Sequence, residues 1–207
     1  MIENEIALQK QDSPLSSLTI NQQGTGTNIG YAGVVNKTIH EDKEALAYFD
    51  EKLYKQLGNE YYSLIVINTD YLDSKIKKLS LPRECVIKKN YATDSDTFSK
   101  FGRLTQEVIE KIKTFPTILV DLSAPTKDNS IFAVIGKVDE IEVRPEDTIN
   151  LVFYRLRDYA ISKEYLMTNA AELDIKTGNA VSEFNDAHWS IKRKNILHLF
   201  QVKGGNL

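Results

Sequence analysis

The chain has 207 residues, of which 42% are apolar and 9% aromatic, enough to bury the core of one domain, with or without an appendage. Its net charge of −3 and its pI near 5.7 exclude a global attraction to nucleic acid or to an anionic membrane surface. A single cysteine, Cys85, excludes a disulfide framework within the chain and is typical of a reducing compartment.

Residues 1–40 differ in composition from the rest of the chain. The first residues are acidic and lack the apolar region of a signal peptide, and no window holds the ~18 to 20 apolar residues of a membrane helix. We therefore expect a cytoplasmic protein with no membrane association. The stretch between Asp12 and Lys37 has no charged residue and is rich in Ser, Thr, Asn, Gln and Gly. This composition predicts an extended or β-hairpin polar leader.

Four glycines of the leader, Gly24, Gly26, Gly30 and Gly33, raise the question of a phosphate-binding loop. A dinucleotide site requires a buried strand before the glycines and a helix after them. The preceding SLTINQQ is too polar for a central strand, and the following YAGVVNKTI is a poor helix. We therefore expect no cofactor, and interpret the glycines as turns in a ribbon that becomes ordered against a partner through Asn28, Ile29, Tyr31 and Val34.

Residues 41–125 are predicted to form an α/β portion. Its two most apolar runs, 61–69 and 117–123, predict strands buried on both faces. Apolar residues at helical spacing predict three helices, and a short apolar run predicts a further strand. The first helix starts at a capping box of Thr38 and Glu41 and ends at Gly58 as a left-handed cap. The other predicted elements are helices at 72–79 and 96–113 and a strand at 84–89.

Residues 126–207 are predicted to form a β-rich portion with two short helices. IFAVIGKVDEIEV (131–143) predicts a strand bent at Gly136, or two strands, followed by a turn at RPED and an antiparallel partner at 148–156. Ser162 is a predicted helix cap. The remaining predictions are an extended piece at 159–162, a turn or helix at 182–192 and a closing strand at 195–202. The predicted class is α/β to α+β: a small sheet flanked by helices and an antiparallel unit, sharing one core.

Candidate catalytic residues are few. Cys85, His188 and Asp121 would supply the groups of a nucleophilic triad, but Cys85 lies in an apolar run without a feature that would lower its pKa. Asp70 and Asp121 follow buried strands, where α/β enzymes place functional carboxylates and where turns also place capping aspartates. The three histidines lack the spacing of a zinc site, so we expect no metal.

HWSIKRKN (188–195) combines the single tryptophan with histidine and a run of three cations. An aromatic ring beside cations can stack a base and hold phosphates. The alternative is that Trp189 belongs to the core and that the basic run is a solvated edge. The candidate nucleotide or nucleic-acid contacts are His188, Trp189, Lys192, Arg193 and Lys194.

Two segments carry a resemblance to proteins of bacterial conflict systems. TINQQGTGTNIGYAGVVNKTI (19–39) resembles the Gln-Gly-Asn-rich leaders of bacterial and phage-defence proteins, and AAELDI with EFNDAHWSIKRKNIL (170–175 and 183–197) resembles a module of the same systems. The category they indicate is the accessory component of three-component defence systems, which also contain an ATPase and an effector. The resemblance implies no catalytic residue.

Three functional hypotheses follow from these patterns. The first is a non-enzymatic adaptor, sensor or assembly component of a bacterial antiviral system, acting through a protein partner or self-association. The second is a nucleotide- or nucleic-acid-binding module centred on Trp189 and the run from Lys192 to Lys194. The third is a small hydrolase or nuclease that uses Asp70, Asp121 or Cys85.

Overall fold

The computed structural model describes residues 50–69, 72, 74–88, 92–124, 131–178 and 181–201. The leader with its predicted partner contacts, most of the first predicted helix, and Asp70 lie outside these residues. Within the described ranges, no helix has the length and apolar character needed to cross a membrane.

The described strands form one six-stranded mixed sheet in the order β2-β5-β4-β3-β1-β6. β1 and β3 are parallel, and every other neighbouring pair is antiparallel. With four short helices in the same ranges, the architecture is α+β, which confirms the predicted fold class. The sheet combines strands from both sides of the boundary predicted at residue 125. The strands are β1 (Tyr62–Ile67), β2 (Ile76–Pro82), β3 (Pro116–Asp121), β4 (Ala133–Arg144), β5 (Thr148–Arg155) and β6 (His188–Lys192).

The sheet is strongly curled, as shown by the three residues that are enough to connect its two edges. β2 ends at Pro82 on one edge, and Val86 forms a parallel bridge with Trp189 of β6 on the other edge. In a flat sheet the neighbour of β6 would lie six strand spacings from β2, about 29 Å away. The chain from Pro82 to Val86 spans at most about 14 Å. The segment between them is a 3-10 helix, Arg83–Cys85, in place of the strand predicted at 84–89.

The two faces of the sheet bury different cores. All six strands contribute to the core on the inner face, and β1 and β3 are buried on both faces, as predicted. The second core covers the outer face of β1, β3 and the start of β4 with residues that follow β5, including Leu166, Leu173 and Phe200. The outer face of β2 remains exposed, so only part of the sheet is buried on both sides.

The helices are α1 (Glu51–Tyr54), α2 (Ser95–Phe101), α3 (Gln106–Ile112) and α4 (Lys163–Thr168). The single helix predicted at 96–113 is therefore wrong, because Gly102 caps α2 and the Thr105 side chain accepts the Val108 amide at the start of α3. Gly58 is not a left-handed cap either: its amide donates to the Thr114 carbonyl. Ser162 caps α4 as predicted.

Asp94 is the N-cap of α2, and replacing it by alanine is expected to cost about 1 kcal/mol. Its Oδ1 accepts the amides of Asp96 and Thr97, and its Oδ2 accepts the Thr97 hydroxyl at 2.6 Å. The Thr97 hydroxyl and then the Thr97 amide hold the pKa of this carboxyl below its ordinary value. The stabilisation of the folded state by the Asp94 carboxylate is therefore present above about pH 3.9, the pKa of an unfolded aspartate. It is lost as the pH falls through the lower folded-state pKa.

Urea unfolding at neutral and at acidic pH would measure this effect. The difference between the wild type and Asp94→Ala should shrink in acid. Asp96→Ala is the matched control, since Asp96 is an exposed residue of the same first turn and offers its amide, not its side chain, to the cap. Equal losses for the two variants at neutral pH would contradict the assignment of the cap.

Three further predictions, at or near the edges of the sheet, are corrected by the structure. The helix predicted at 72–79 is wrong, because Ile76–Pro82 forms edge strand β2, with Leu79 and Leu81 buried at alternate positions. The turn or helix predicted at 182–192 ends instead in strand β6, which pairs with β1. The closing strand predicted at 195–202 is a 3-10 helix, Leu197–Gln201.

The long strand predicted after residue 130 is present as the single strand β4. The register with β5 shifts between Val138 and Glu140, so the irregularity lies at Asp139 and not at Gly136. The turn predicted at RPED connects β4 with β5, which is antiparallel to it as predicted. Ile161, in the predicted extended piece, forms a bridge with Ala133.

Candidate binding cleft

Asp121, at the end of β3, stabilises the turn that follows the strand. Its Oδ1 accepts the amides of Thr69 and Ser123 at 3.2 and 2.9 Å, and the Ser123 hydroxyl at 2.7 Å. The Asp121 residue is 2% exposed. These bonds join the ends of the parallel strands β1 and β3, so the carboxylate acts as a capping group of the two strand ends.

Cys85 lies beside a hollow of about 160 Å³ that His188 and Asp186 also line. Burial raises the pKa of the Cys85 thiol, and the Glu84 carboxylate raises it further. The thiol therefore stays protonated at neutral pH, whereas a nucleophile requires the thiolate. Asp121 does not line this hollow, so the structure brings together two members of the candidate triad and not the third.

The five candidate nucleic-acid contacts lie on β6 and immediately after it. Trp189 and Lys192 are each 1% exposed, and His188 is also buried. Only Arg193 and Lys194 are exposed. A base can stack only on an accessible ring, so β6 would have to leave the sheet before Trp189 met one. The arrangement corresponds to the alternative in which the tryptophan belongs to the core.

A buried carboxylate organises the polar face of β6. Glu183 is 0% exposed, and its Oε1 accepts the Lys192 ammonium at 2.7 Å and the Lys176 amide at 2.8 Å. Its Oε2 lies 3.2 Å from Nε2 of His188 and 3.3 Å from the Ser190 hydroxyl. The three β6 residues occupy alternate positions, so their side chains reach Glu183 from one face of the strand.

The electrostatics of this cluster favour an ionised Glu183. Burial raises the pKa of the carboxyl, but His188, the Lys192 ammonium and the Lys176 amide outweigh burial and hold the pKa below its ordinary value. Nδ1 of His188 lies 3.0 Å from the Asp186 carbonyl oxygen. Both ring nitrogens of His188 thus lie within hydrogen-bond distance of an oxygen, one of Asp186 and one of Glu183.

Residues 183–192, which lie in the segment that carries the C-terminal resemblance, supply most members of the Glu183 cluster. The polar residues of that segment therefore have a structural role. In the part of the chain that the structure describes, no group of three or more His, Cys, Asp and Glu side chains could hold a metal ion. The polar residues of β6 bind Glu183 and so connect the strand to the segment that precedes it.

A cleft of about 710 Å³ opens at the end of the curled sheet where β2 stops and β5 begins. Its volume lies within the range of small-molecule and cofactor sites, roughly 300 to 1,000 Å³. Three separate segments line it: the link between the sheet edges, α2 with its C-cap, and the β4–β5 turn. The lining residues are Pro82, Arg83, Glu84, Val86, Ile87, Lys88, Phe98, Gly102, Glu146, Asp147 and Thr148.

Two strained backbone positions lie on this cleft. Among the described residues, three non-glycine residues have a positive φ, and two of them, Ile87 at 44° and Asp147 at 54°, line the cleft. Aspartate tolerates this conformation, but a β-branched residue such as isoleucine rarely adopts it, at a cost of about 1 to 3 kcal/mol. The buried Ile87 side chain and the bond from its amide to the Trp189 carbonyl, 2.7 Å long, hold the conformation.

Arg83 fixes the walls of the cleft relative to one another. Its Nη1 donates to the Val86 carbonyl at 2.9 Å, and its Nη2 donates to the Gly102 carbonyl at 2.7 Å. Its amide donates to the Asp147 carbonyl at 2.7 Å. One residue thus joins the link between the sheet edges, the end of α2 and the β4–β5 turn, which makes the cleft a preformed feature.

The sequence patterns single out none of the cleft residues apart from the RPED turn, because the cleft is assembled from segments up to about sixty residues apart. The sequence feature nearest to the cleft is Pro82, which ends β2 and is followed directly by Arg83 and Glu84. These residues match no known motif. The geometry offers apolar surface and charged groups for binding, without an activated nucleophile on its walls. Comparison of the chain with protein-family models, with curated proteins and with solved structures gives no match.

Proposed function

We propose that this chain is a non-enzymatic adaptor or assembly component that acts through protein–protein contacts, and that the cleft receives a segment of its partner. The observation that carries the proposal is the coincidence of the cleft with two of the three positive-φ non-glycine residues in the described ranges. Backbone strain that the surrounding packing maintains is concentrated at binding sites and ligand clamps. Arg83 supports the proposal by holding three walls in place before any ligand arrives.

The setting that we propose is a bacterial antiviral defence system, on the resemblance of the leader and of the C-terminal segment. The partner would then be another component of the same system, such as its ATPase or its effector. The Cys85 thiol, with its raised pKa, and the Asp121 carboxylate, engaged in a turn, support a binding role over the hydrolase hypothesis.

Selection of a random peptide library on the immobilised full-length protein would test this function. The selection should enrich peptides that no longer bind to Thr148→Trp, because an indole at the half-buried start of β5 would obstruct the cleft. Thr168→Trp is the matched control, since Thr168 is exposed at the end of α4, away from the cleft. Proteins encoded beside this chain can be tested for co-purification with the same two variants.

Binding that both variants retain would contradict the proposed role of the cleft. Loss of binding in both variants would also contradict it, since a substitution outside the cleft would then have the same effect. Circular dichroism of each variant separates loss of binding from loss of folding.

A further inference from the structure

We infer that the occupant of the cleft is a basic protein segment that carries Lys or Arg next to a bulky apolar side chain. This inference rests on the proposed function and adds the chemistry of the partner. Two features of the cleft carry it: an excess of exposed carboxylates at its rim and an apolar surface in the same lining.

Three carboxylates line the cleft, those of Glu84, Glu146 and Asp147, and all three residues are exposed. In the described part of the chain, none of the three side chains forms an ion pair or a hydrogen bond. Lys88 is the exposed cation of the lining. Three carboxylates against the two cations of the lining, Arg83 and Lys88, leave an excess of one negative charge, which attracts a cationic ligand and repels phosphates.

Arg83 keeps its charge, but its side-chain donors face the cleft walls. Its Nη1 and Nη2 both donate to backbone carbonyls of those walls, those of Val86 and Gly102. The guanidinium thus holds the walls together. At the rim a ligand meets the three exposed carboxylates and the exposed Lys88 ammonium.

The apolar part of the cleft comes from two side chains on different segments. Pro82 is exposed at the end of β2, and the half-buried ring of Phe98 lies over Gly102, whose added Cβ would be 2.6 Å from the ring. Gly102 therefore lets Phe98 fold back onto the helix and leave the cleft open. An aliphatic or aromatic side chain that entered between Pro82 and Phe98 would be removed from water, which favours binding.

A protein segment fits these two features better than a small cation does. The carboxylates lie on the link after β2 and on the adjacent β4–β5 turn, in the same lining as Pro82 and Phe98, so a ligand must place cations next to an apolar group. A chain with alternating basic and apolar side chains meets this pattern. A metal ion or a polyamine offers charge without the apolar centre.

Peptides selected on the wild type, labelled with a fluorophore, would test the inference by fluorescence anisotropy. They should be rich in Lys and Arg next to Leu, Phe or Ile. Their affinity should fall about tenfold in the full-length triple variant Glu84→Gln, Glu146→Gln, Asp147→Asn, in which asparagine tolerates the positive φ. The control variant Glu107→Gln, Glu140→Gln, Glu164→Gln removes three exposed carboxylates elsewhere and should leave the affinity unchanged.

The outcomes separate this inference from the proposed function. One outcome is that the peptides lose binding in Thr148→Trp, and so depend on the cleft, but are not basic or bind the triple variant as well as the wild type. This outcome would overturn the inference alone. An equal loss in the control variant would overturn it too, because it would show attraction to the net charge of the protein. Peptides indifferent to Thr148→Trp would overturn both.

Discussion

Replacing Glu183 by glutamine is expected to destabilise the protein by about 3 to 5 kcal/mol, the loss seen when one partner of a buried ion pair is removed. The substitution keeps the shape of the side chain and leaves the Lys192 ammonium, 1% exposed, without a counter-charge. The midpoint of thermal unfolding should fall by about 10 °C. Urea unfolding followed by the emission of Trp189, the only tryptophan and a buried neighbour on β6, would measure the change.

Two comparisons identify the buried charge as the cause. Adding Lys192→Met to Glu183→Gln removes the unpaired ammonium and should recover most of the loss, because neutral replacements of a whole buried pair are often harmless. Glu60→Gln breaks the exposed pair with Arg193, the residue after Lys192, and should cost less than about 1 kcal/mol. A loss for Glu183→Gln as small as that for Glu60→Gln would contradict the burial of the cluster.

The same variant has an expected pH dependence. The folded-state pKa of Glu183 is lowered, so the stabilisation by its charge is fully present above about pH 4.3, the value for an unfolded glutamate. It is lost as the pH falls through the lower folded-state value. The free energies of unfolding of the wild type and of Glu183→Gln should therefore converge in acid, and a constant difference would contradict the shift.

The elements that could be predicted from the sequence are those whose signal is local. β1 and β3 are continuous apolar runs, which a strand buried on both faces requires. The RPED turn and the Ser162 cap depend on the chemistry of a few adjacent residues, and both are present. Each of these features is determined within about ten residues.

The burial of the polar face of β6 could not be predicted, because it depends on a partner that the pattern does not identify. HWSIK alternates polar with apolar residues, which is typical of a strand with one solvated face. In the structure the polar face is buried against Glu183. The spacing of five to nine residues between Glu183 and its partners is compatible with many conformations, so the sequence shows charges without showing that they neutralise one another.

β2 and the break between α2 and α3 escaped prediction from the sequence for a different reason. Ile76 and Leu79 have helical spacing, but β2 is stabilised by β5, about seventy residues later, which outweighs the local preference. Gly102 and Thr105 are a stop and a start signal within one apolar stripe, and the stripe alone predicts a single helix. The cleft could be predicted only if both elements were placed correctly, since the end of β2 and the end of α2 form two of its walls.

Gly136→Ala is expected to destabilise the protein by about 3 kcal/mol or more, the upper range for added volume in a packed core. A Cβ at this position would lie 2.1 Å from the Tyr154 carbonyl oxygen and 2.6 Å from Cζ of Phe153. Gly136 pairs with Thr117 of β3 on one side and with Arg155 of β5 on the other. The oxygen belongs to the backbone of β5, so relief of the clash requires two hydrogen-bonded strands to separate. Urea unfolding followed by circular dichroism would measure the loss.

The matched control for Gly136→Ala is Gly58→Ala, which adds the same methyl group outside the sheet. The nearest atom to that Cβ, the Thr114 carbonyl oxygen, would lie 3.6 Å away, an ordinary contact distance. Alanine there should change the stability by less than about 0.5 kcal/mol, or raise it slightly by restricting the unfolded chain. If the two variants unfolded at the same urea concentration, β4 and β5 would have to be further apart at Gly136 than the structure places them. The glycine would then mark a flexible bend, as the sequence pattern alone also allows, and not a close contact between strands.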